Sequence, residues 1–262
     1  MKYLFATFLL FIGGVSYSQT LDSLRLEHMK KTAAPLNSDR PGQTYSANTV
    51  GNKALMTQLG LEIGGHRLYS WDISSSSVKG TIDLRYGIGD RFEIGSFISG
   101  FSNQINTDLI EDRERNTSSY SLNARYTALS NDRNSLGFLA DAAYGTDRQE
   151  SSMTYSVKAL YSVSITKSFS ISSNLGFNTS EGSSWGNYTL NLGFPLFDDF
   201  GFFAEIYGDF GSDRNQYWID GGIWYLIGPN VQLDAYFAKG FNNNVQDLYG
   251  TLGLTWRLIE PK

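Results

Sequence analysis

The chain has 262 residues, of which 41% are hydrophobic and 15% aromatic; it carries a formal charge of -5 and contains no cysteine. That length suits one large all-β unit better than two small domains, and a mean hydropathy of -0.27 is too polar for a bundle of membrane helices. The missing cysteines exclude disulfides and thiolate metal ligands, and the acidic balance gives no support for nucleic-acid binding.

Met1-Lys2 followed by the apolar run Leu4 to Val15, then Ser16-Tyr17-Ser18, has the order of a secretion signal. It predicts a signal peptide over 1–18 with cleavage before Gln19. The run is too short to span a bilayer as a helix, and no later segment offers the roughly 18 continuous apolar residues that a spanning helix needs. Residues 19–53 form an N-terminal segment expected on the periplasmic side. Within it Leu21, Leu24 and His28 have helical spacing, compatible with a short helix or an extended tail, and 35–53 is an irregular lead-in rich in Ser, Asn, Thr and Gly.

From 54 to 258 one pattern repeats. Runs of about ten residues carry an apolar or aromatic side chain at every second position, as in Thr81-Ile82-Asp83-Leu84-Arg85-Tyr86-Gly87-Ile88. Strand side chains alternate between faces, so each run has one apolar and one polar face. The runs fall at 54–65, 77–88, 91–101, 118–129, 135–145, 152–166, 168–178, 186–196, 200–210, 216–227, 230–240 and 247–258. Twelve such segments behind an export signal predict an all-β fold, a closed antiparallel transmembrane barrel in an up-and-down meander, placed in the outer membrane of a didermic bacterium. Residues 259–262 are left as a C-terminal tail. Every second connection is tight (Gly89-Asp90, Ser130 to Asn134, Thr166-Lys167, Phe197 to Asp199, Gly228-Pro229-Asn230). The others read as longer polar loops at 66–76, 102–117, 146–151, 179–185, 211–215 and 241–246. This sorting puts short turns on the periplasmic rim and long loops outside the cell. The longest, 102–117, holds Asp108, Glu111, Asp112, Arg113, Glu114 and Arg115. It reads as a solvated surface loop, with a lumen-constricting or receptor role as the alternative.

The outward faces are uncharged along their middles, for example Val78, Ile82, Leu84, Tyr86 and Ile88, or Leu248, Leu252, Leu254, Trp256 and Leu258. A Lys or Arg at the bilayer midplane costs a barrel about 2–4 kcal/mol. The opposite face carries the charges. Lys79, Arg85, Arg91, Arg125 and Lys158 form a basic arc on the second to sixth runs, joined by Arg257 on the last. Glu205, Asp209, Asp220 and Asp234 form an acidic arc on the ninth to eleventh. One reading is a transverse field across a water-filled pore that orients and selects small polar solutes. The other is that neighbouring strands neutralise each other. If Gly89-Asp90 sets the register, Arg85 stands opposite Glu93, and a ladder through Arg125, Asp141 and Lys158 follows. The acidic arc has no basic neighbour on adjacent strands and is expected to line the permeation path.

A hydrolase would need a His beside a nucleophile. The chain has two His, His28 ahead of the barrel and His66 at a strand end near Ser70 and Asp72, and no nucleophile elbow or phosphate loop. No enzyme, metal or cofactor is therefore expected.

Ser38-Asp39-Arg40-Pro41, Asn48-Thr49-Val50-Gly51 and Gln58-Leu59-Gly60-Leu61-Glu62-Ile63-Gly64 resemble the opening of proteins named for the meta-pathway of phenol degradation. Asp220-Gly221-Gly222-Ile223-Trp224-Tyr225-Leu226, Pro229 to Asp234 and Gly253-Leu254-Thr255-Trp256-Arg257-Leu258 resemble their closing segments. The resemblance implies an outer-membrane barrel transporter; the phenol label itself is not carried over to a substrate. The chain departs from barrels that end on an aromatic residue, since Ile259-Glu260-Pro261-Lys262 follows Leu258, so the barrel-assembly machinery is expected to read Trp256 and Leu258. Asp39, Arg40 and Pro41 either order the entry to the first strand, the favoured reading, or fold into the barrel mouth as a small plug. The reading is a monomeric channel for small solutes, with outer-membrane lipid as its surroundings. The alternatives are a closed structural or adhesive barrel and, less favoured, a hydrolase.

Overall fold

The computed structural model describes residues 36–259 apart from 69–72, 108–109, 147–150, 212–214 and 243–244. The signal peptide, the segment around His28, and Ser70 and Asp72 lie outside the described residues, as does the side chain of His66. Twelve strands are present: β1 Leu55–Leu68, β2 Ile73–Gly87, β3 Phe92–Thr107, β4 Ile110–Ser130, β5 Asn134–Thr146 and β6 Ser151–Thr166. They continue with β7 Phe169–Ser180, β8 Ser183–Pro195, β9 Phe200–Phe210, β10 Asn215–Leu226, β11 Val231–Asn242 and β12 Val245–Ile259. Each pairs antiparallel with its neighbours in sequence, and β1 pairs with β12 to close the sheet. The result is the meander barrel that the period-two pattern predicts.

Alternation is carried through to exposure. On β2, Val78, Ile82, Leu84 and Tyr86 are exposed while Arg85 is buried, and on β12 Leu252 and Trp256 are exposed between the buried Thr251, Thr255 and Arg257. The outer surface is a continuous apolar belt, and the polar parity faces the lumen.

The loop lengths differ from expectation. The hairpins continue through residues read as long loops, so that Ser102 pairs with Asn116 and Gln104 with Glu114 in the β3–β4 ladder. Connections on both rims are short; Glu181-Gly182 joins β7 to β8 with φ of 46° and 83°, the twist-matched two-residue hairpin. The physical reason is that ladder hydrogen bonds use backbone groups alone. A strand that is polar on both faces still pairs once it has passed the apolar belt. The charged side chains between 108 and 115 lie outside the described residues, and with them the proposed constriction.

Candidate functional site

Residues 36–54 are folded inside the barrel. Lys53 donates its backbone N–H to Gly87 at 2.8 Å, and Thr49 Oγ1 donates to the Asp90 carbonyl at 2.8 Å, which places the segment's end at the rim where β1 starts. From there it runs around the inner wall. The Val50 N–H donates to Glu93 on β3, and Thr127 Oγ1 on β4 donates to the Ala47 carbonyl. Tyr45 and Asn174 of β7 exchange two hydrogen bonds, at 2.7 and 3.1 Å. Thr44 Oγ1 donates to Thr189 Oγ1 of β8 at 2.6 Å, and the Gln43 N–H donates to Glu205 of β9 at 3.1 Å. Close approach is needed at two points. Gly42 has φ 86°, and any side chain there would strike the Glu205 carboxylate; a Cβ at Gly137 would meet the Ala47 carbonyl at 2.5 Å.

Asp39 and Arg40 reach different parts of the wall. Arg125 donates from both terminal nitrogens to the Asp39 carboxylate, at 3.0 and 2.6 Å, and Arg85 Nη1 lies 3.3 Å away. Burial pushes the Asp39 carboxyl up, but Arg125 and Arg85 outweigh it and hold it below its ordinary value of 3.8. Arg40 turns to the acidic arc, donating from Nη2 and Nε to Asp234 of β11 at 2.8 and 3.2 Å. Its guanidinium carbon lies 5.9 Å from the centre of the Tyr236 ring. Consecutive residues of opposite charge thus pair with side chains of two distant strands, Asp39 with Arg125 of β4 and Arg40 with Asp234 of β11.

The predicted wall residues sort into three groups. Arg85 and Arg125 are buried and held by Asp39 and Glu93, while Glu205, Asp220, Asp234 and Arg257 are buried on the inner face. Lys79 and Lys158 are half-buried and line a cavity of about 300 Å³ above the segment, together with Asp83, Asp141 and Tyr236. Lys158 Nζ also lies 4.6 Å from the centre of the Tyr45 ring. Asp209 and Lys158 line a second cavity, about 240 Å³, with Asn187, Tyr207 and Trp218. Arg91 is a correction: it stands exposed in the turn between β2 and β3, before β3 begins at Phe92.

The register is also corrected. Arg85 is opposite Gly95, and Gly87 is opposite Glu93, so the Arg85–Glu93 pair at 2.7 Å is diagonal rather than direct. Asp141 stands across from Asn123 and Ser156, not from a cation, because the register puts Arg125 opposite Leu139, and Arg125 is turned to Asp39. Glu205 and Asp220 face each other directly across β9 and β10, an acidic pair that the sequence reading did not place.

Two features of the inner face escaped the sequence reading. Leu139 and Leu160 point inward and pack on Ala47 and Tyr45, and Met56 packs on Val50 and Leu36. An apolar residue at the polar parity needs an apolar partner inside the barrel; the triplets Phe138-Leu139-Ala140 and Ala159-Leu160-Tyr161 carried that signal. The second is an aromatic wall opposite Lys158. Tyr207 stacks on Trp218 at 6.1 Å and 9°, Trp218 and Tyr236 both meet Tyr249, and Gln43 Nε2 donates to the Tyr236 and Tyr249 hydroxyls. Among the described residues no cluster of three or more His, Asp or Glu side chains could hold a metal ion.

A family model described as "Putative MetA-pathway of phenol degradation" matches residues 38–258, so the match takes in the inner segment as well as the barrel. No protein with a curated description matches the chain. Among solved structures, the COG4313 outer membrane channel from Pseudomonas putida F1 is similar with TM-score 0.67 at 11% identity, over 84% of this chain and 99% of that one. The translocator domain of the autotransporter NalP from Neisseria meningitidis is similar with TM-score 0.53 at 13% identity, over 90% and 95%. The transport unit of the autotransporter AIDA-I from Escherichia coli also has TM-score 0.53, at 10% identity, over 88% and 97%. At these identities the likeness concerns the fold: an outer-membrane β-barrel.

Proposed function

The chain belongs to the family of the phenol-degradation MetA pathway, and from that premise we propose that it is an outer-membrane channel for small solutes, closed at rest by its own N-terminal segment. The signal peptide is removed on export, the rim holding the chain ends faces the periplasm, and the apolar belt faces lipid. Solutes enter from outside into the cavity of about 300 Å³ lined by Lys79, Asp83, Asp141, Lys158 and Tyr236. They pass a wall whose basic and acidic arcs lie on different strands. Movement of residues 36–50 opens the periplasmic side.

The observation that carries this reading is the ring of hydrogen bonds from the segment to strands throughout the barrel, with Asp39 and Arg40 on different parts of the wall. The segment is held chiefly by polar contacts, with apolar packing confined to Leu36, Tyr45, Ala47 and Val50, so most of the groups lost from the wall on release regain a water partner. The same contacts also favour the second reading, a permanently closed structural barrel. A disulfide distinguishes them. Thr44 and Thr189 touch through their hydroxyls, and the chain has no cysteine of its own, so Thr44→Cys with Thr189→Cys forms one defined bridge. In planar bilayers and swelling liposomes the oxidised protein is expected to stay closed and the reduced protein to open intermittently and pass solute. Equal silence in both states would sink the channel reading and leave the structural one.

A further inference from the structure

We propose that the acidic arc is a binding site for an organic cation with a guanidinium or ammonium head, and that Arg40 is its tethered resident ligand; this rests on the channel reading above. The argument starts from how Arg40 is held. Its side chain is paired with Asp234, whose carboxylate is fully shielded from solvent, and Gln232 Nε2 donates to its backbone carbonyl at 2.8 Å. The guanidinium lies against a wall stripped of side chains. Gly60 of β1 and Gly253 of β12 are cross-strand partners, and a Cβ on either would collide with it, at 2.6 Å from Nη1 in the case of Gly60. A carboxylate fork at one end, an aromatic ring beside it and a bare glycine pair on a third side make a slot for a flat cation.

Arg40 does not neutralise the whole acidic arc. Asp220, only 3% exposed, has no hydrogen-bond partner for either carboxylate oxygen and stands across from the equally buried Glu205. Glu205 is covered by the Gln43 N–H and the Asn191 amide. A buried carboxylate without donors is costly unless a counter-charge can reach it. The segment therefore brings its guanidinium to Asp234, which faces Trp224, while Asp220 and Glu205 face each other further along, across β10 and β9. An incoming cation that displaced Arg40 from Asp234 would also loosen the Gln43 N–H from Glu205, because Gln43 follows Arg40 closely in the same segment. Solute binding and opening are then one event.

The test is chemical rescue with ethylguanidinium, which reproduces the end of the Arg40 side chain. Calorimetry on purified, folded protein is expected to show one site in Arg40→Ala with at least tenfold higher affinity for ethylguanidinium than wild type, where the slot is filled. Adding Asp234→Asn is expected to remove that site, and sodium at equal ionic strength to leave it unoccupied. In bilayers the same probe is expected to open the wild-type channel and to leave the conducting Arg40→Ala protein open, because an untethered cation in the slot holds no segment in place. Folding of each variant is checked by heat-modifiable migration; should Arg40→Ala not fold, Arg40→Lys keeps a cation while vacating part of the slot, and its ethylguanidinium binding must also depend on Asp234. No binding beyond that of sodium, or binding that survives Asp234→Asn, overturns the proposal. Silence in bilayers with intact calorimetric binding would instead overturn the channel reading and leave the cation site standing.

Discussion

Asp39 receives both terminal nitrogens of Arg125 although 86 positions separate them, and the pair is sealed inside the lumen. Arg85 shares the same carboxylate and is itself 1% exposed. Two buried guanidinium groups therefore share one anion supplied by a segment that is not part of the wall, beside Glu93 of the wall itself.

Replacing that anion is the most direct way to unseat the segment. Breaking a buried ion pair from one side costs about 3–5 kcal/mol, because the partner is left buried and charged. Asp39→Ala is expected to raise open-state conductance strongly and to expose residues 36–50 to protease, with the barrel still heat-modifiable. Conductance equal to wild type would refute the clasp.

Gly253→Ala tests the same segment from the wall side. The added methyl would occupy the space of the Arg40 guanidinium, and overpacking of this kind costs roughly 1–3 kcal/mol. A rise in conductance comparable to that of Arg40→Ala is expected, whereas Gly80→Ala, where a Cβ meets nothing within 4 Å, should be silent.

Leu160 distinguishes a filled lumen from a wet one. It faces inward at 0% exposure against Ala47, Leu139 and Tyr45. In a filled interior Leu160→Ala should cost about 2–5 kcal/mol, read as a lower urea midpoint of the closed state; in a water-filled pore it would be nearly neutral.

The outer belt makes the opposite demand. Leu252 lies midway along β12 and is 62% exposed between Leu61 and Ala235 of the flanking strands. Leu252→Arg is expected to reduce stability in lipid bilayers by about 2–4 kcal/mol, measured by reversible unfolding in urea.

Acid should release the segment only late. Docking lowers the Asp39 carboxyl below 3.8, with Arg85 and Arg125 facing it and the Ser46 N–H donating to it. A lowered value means that its contribution to closure is complete above pH 3.8 and is lost as pH falls through the docked value. The Asp39 share of closure is thus flat from pH 8 to pH 4. Asp39→Asn should abolish the part of the conductance rise that wild type shows below that window.

What the sequence made legible follows from what period two can encode. The strand count, the meander and the two faces depend on alternation alone, and alternation is local. The true strand ends were hidden because backbone pairing continues through polar residues such as Asn103 and Arg115, which no hydrophobic signal marks. Residues 36–54 were hidden for a different reason. Ser38, Gln43, Thr44 and Asn48 have the composition of a solvated linker, and their partners are the polar wall residues Gln58, Glu205, Thr189 and Arg125. The charges on the inner face read as pore lining because the plug was the less favoured reading of Asp39 and Arg40, with no local pattern to pair them with Arg125 and Asp234.

The Asp39-Arg40 dipeptide has a consequence for the barrel's size. One residue binds β4 and its neighbour binds β11, so the two bonds together span the interior between strands far apart in the sheet. A sheet with one hairpin more or fewer would keep the same alternation and could still close edge to edge. It would not hold both bonds at once, because the gap between the two walls would no longer match a single peptide unit and its side chains. The dipeptide therefore acts as an internal gauge of circumference, checking the strand number that alternating hydrophobicity leaves undetermined.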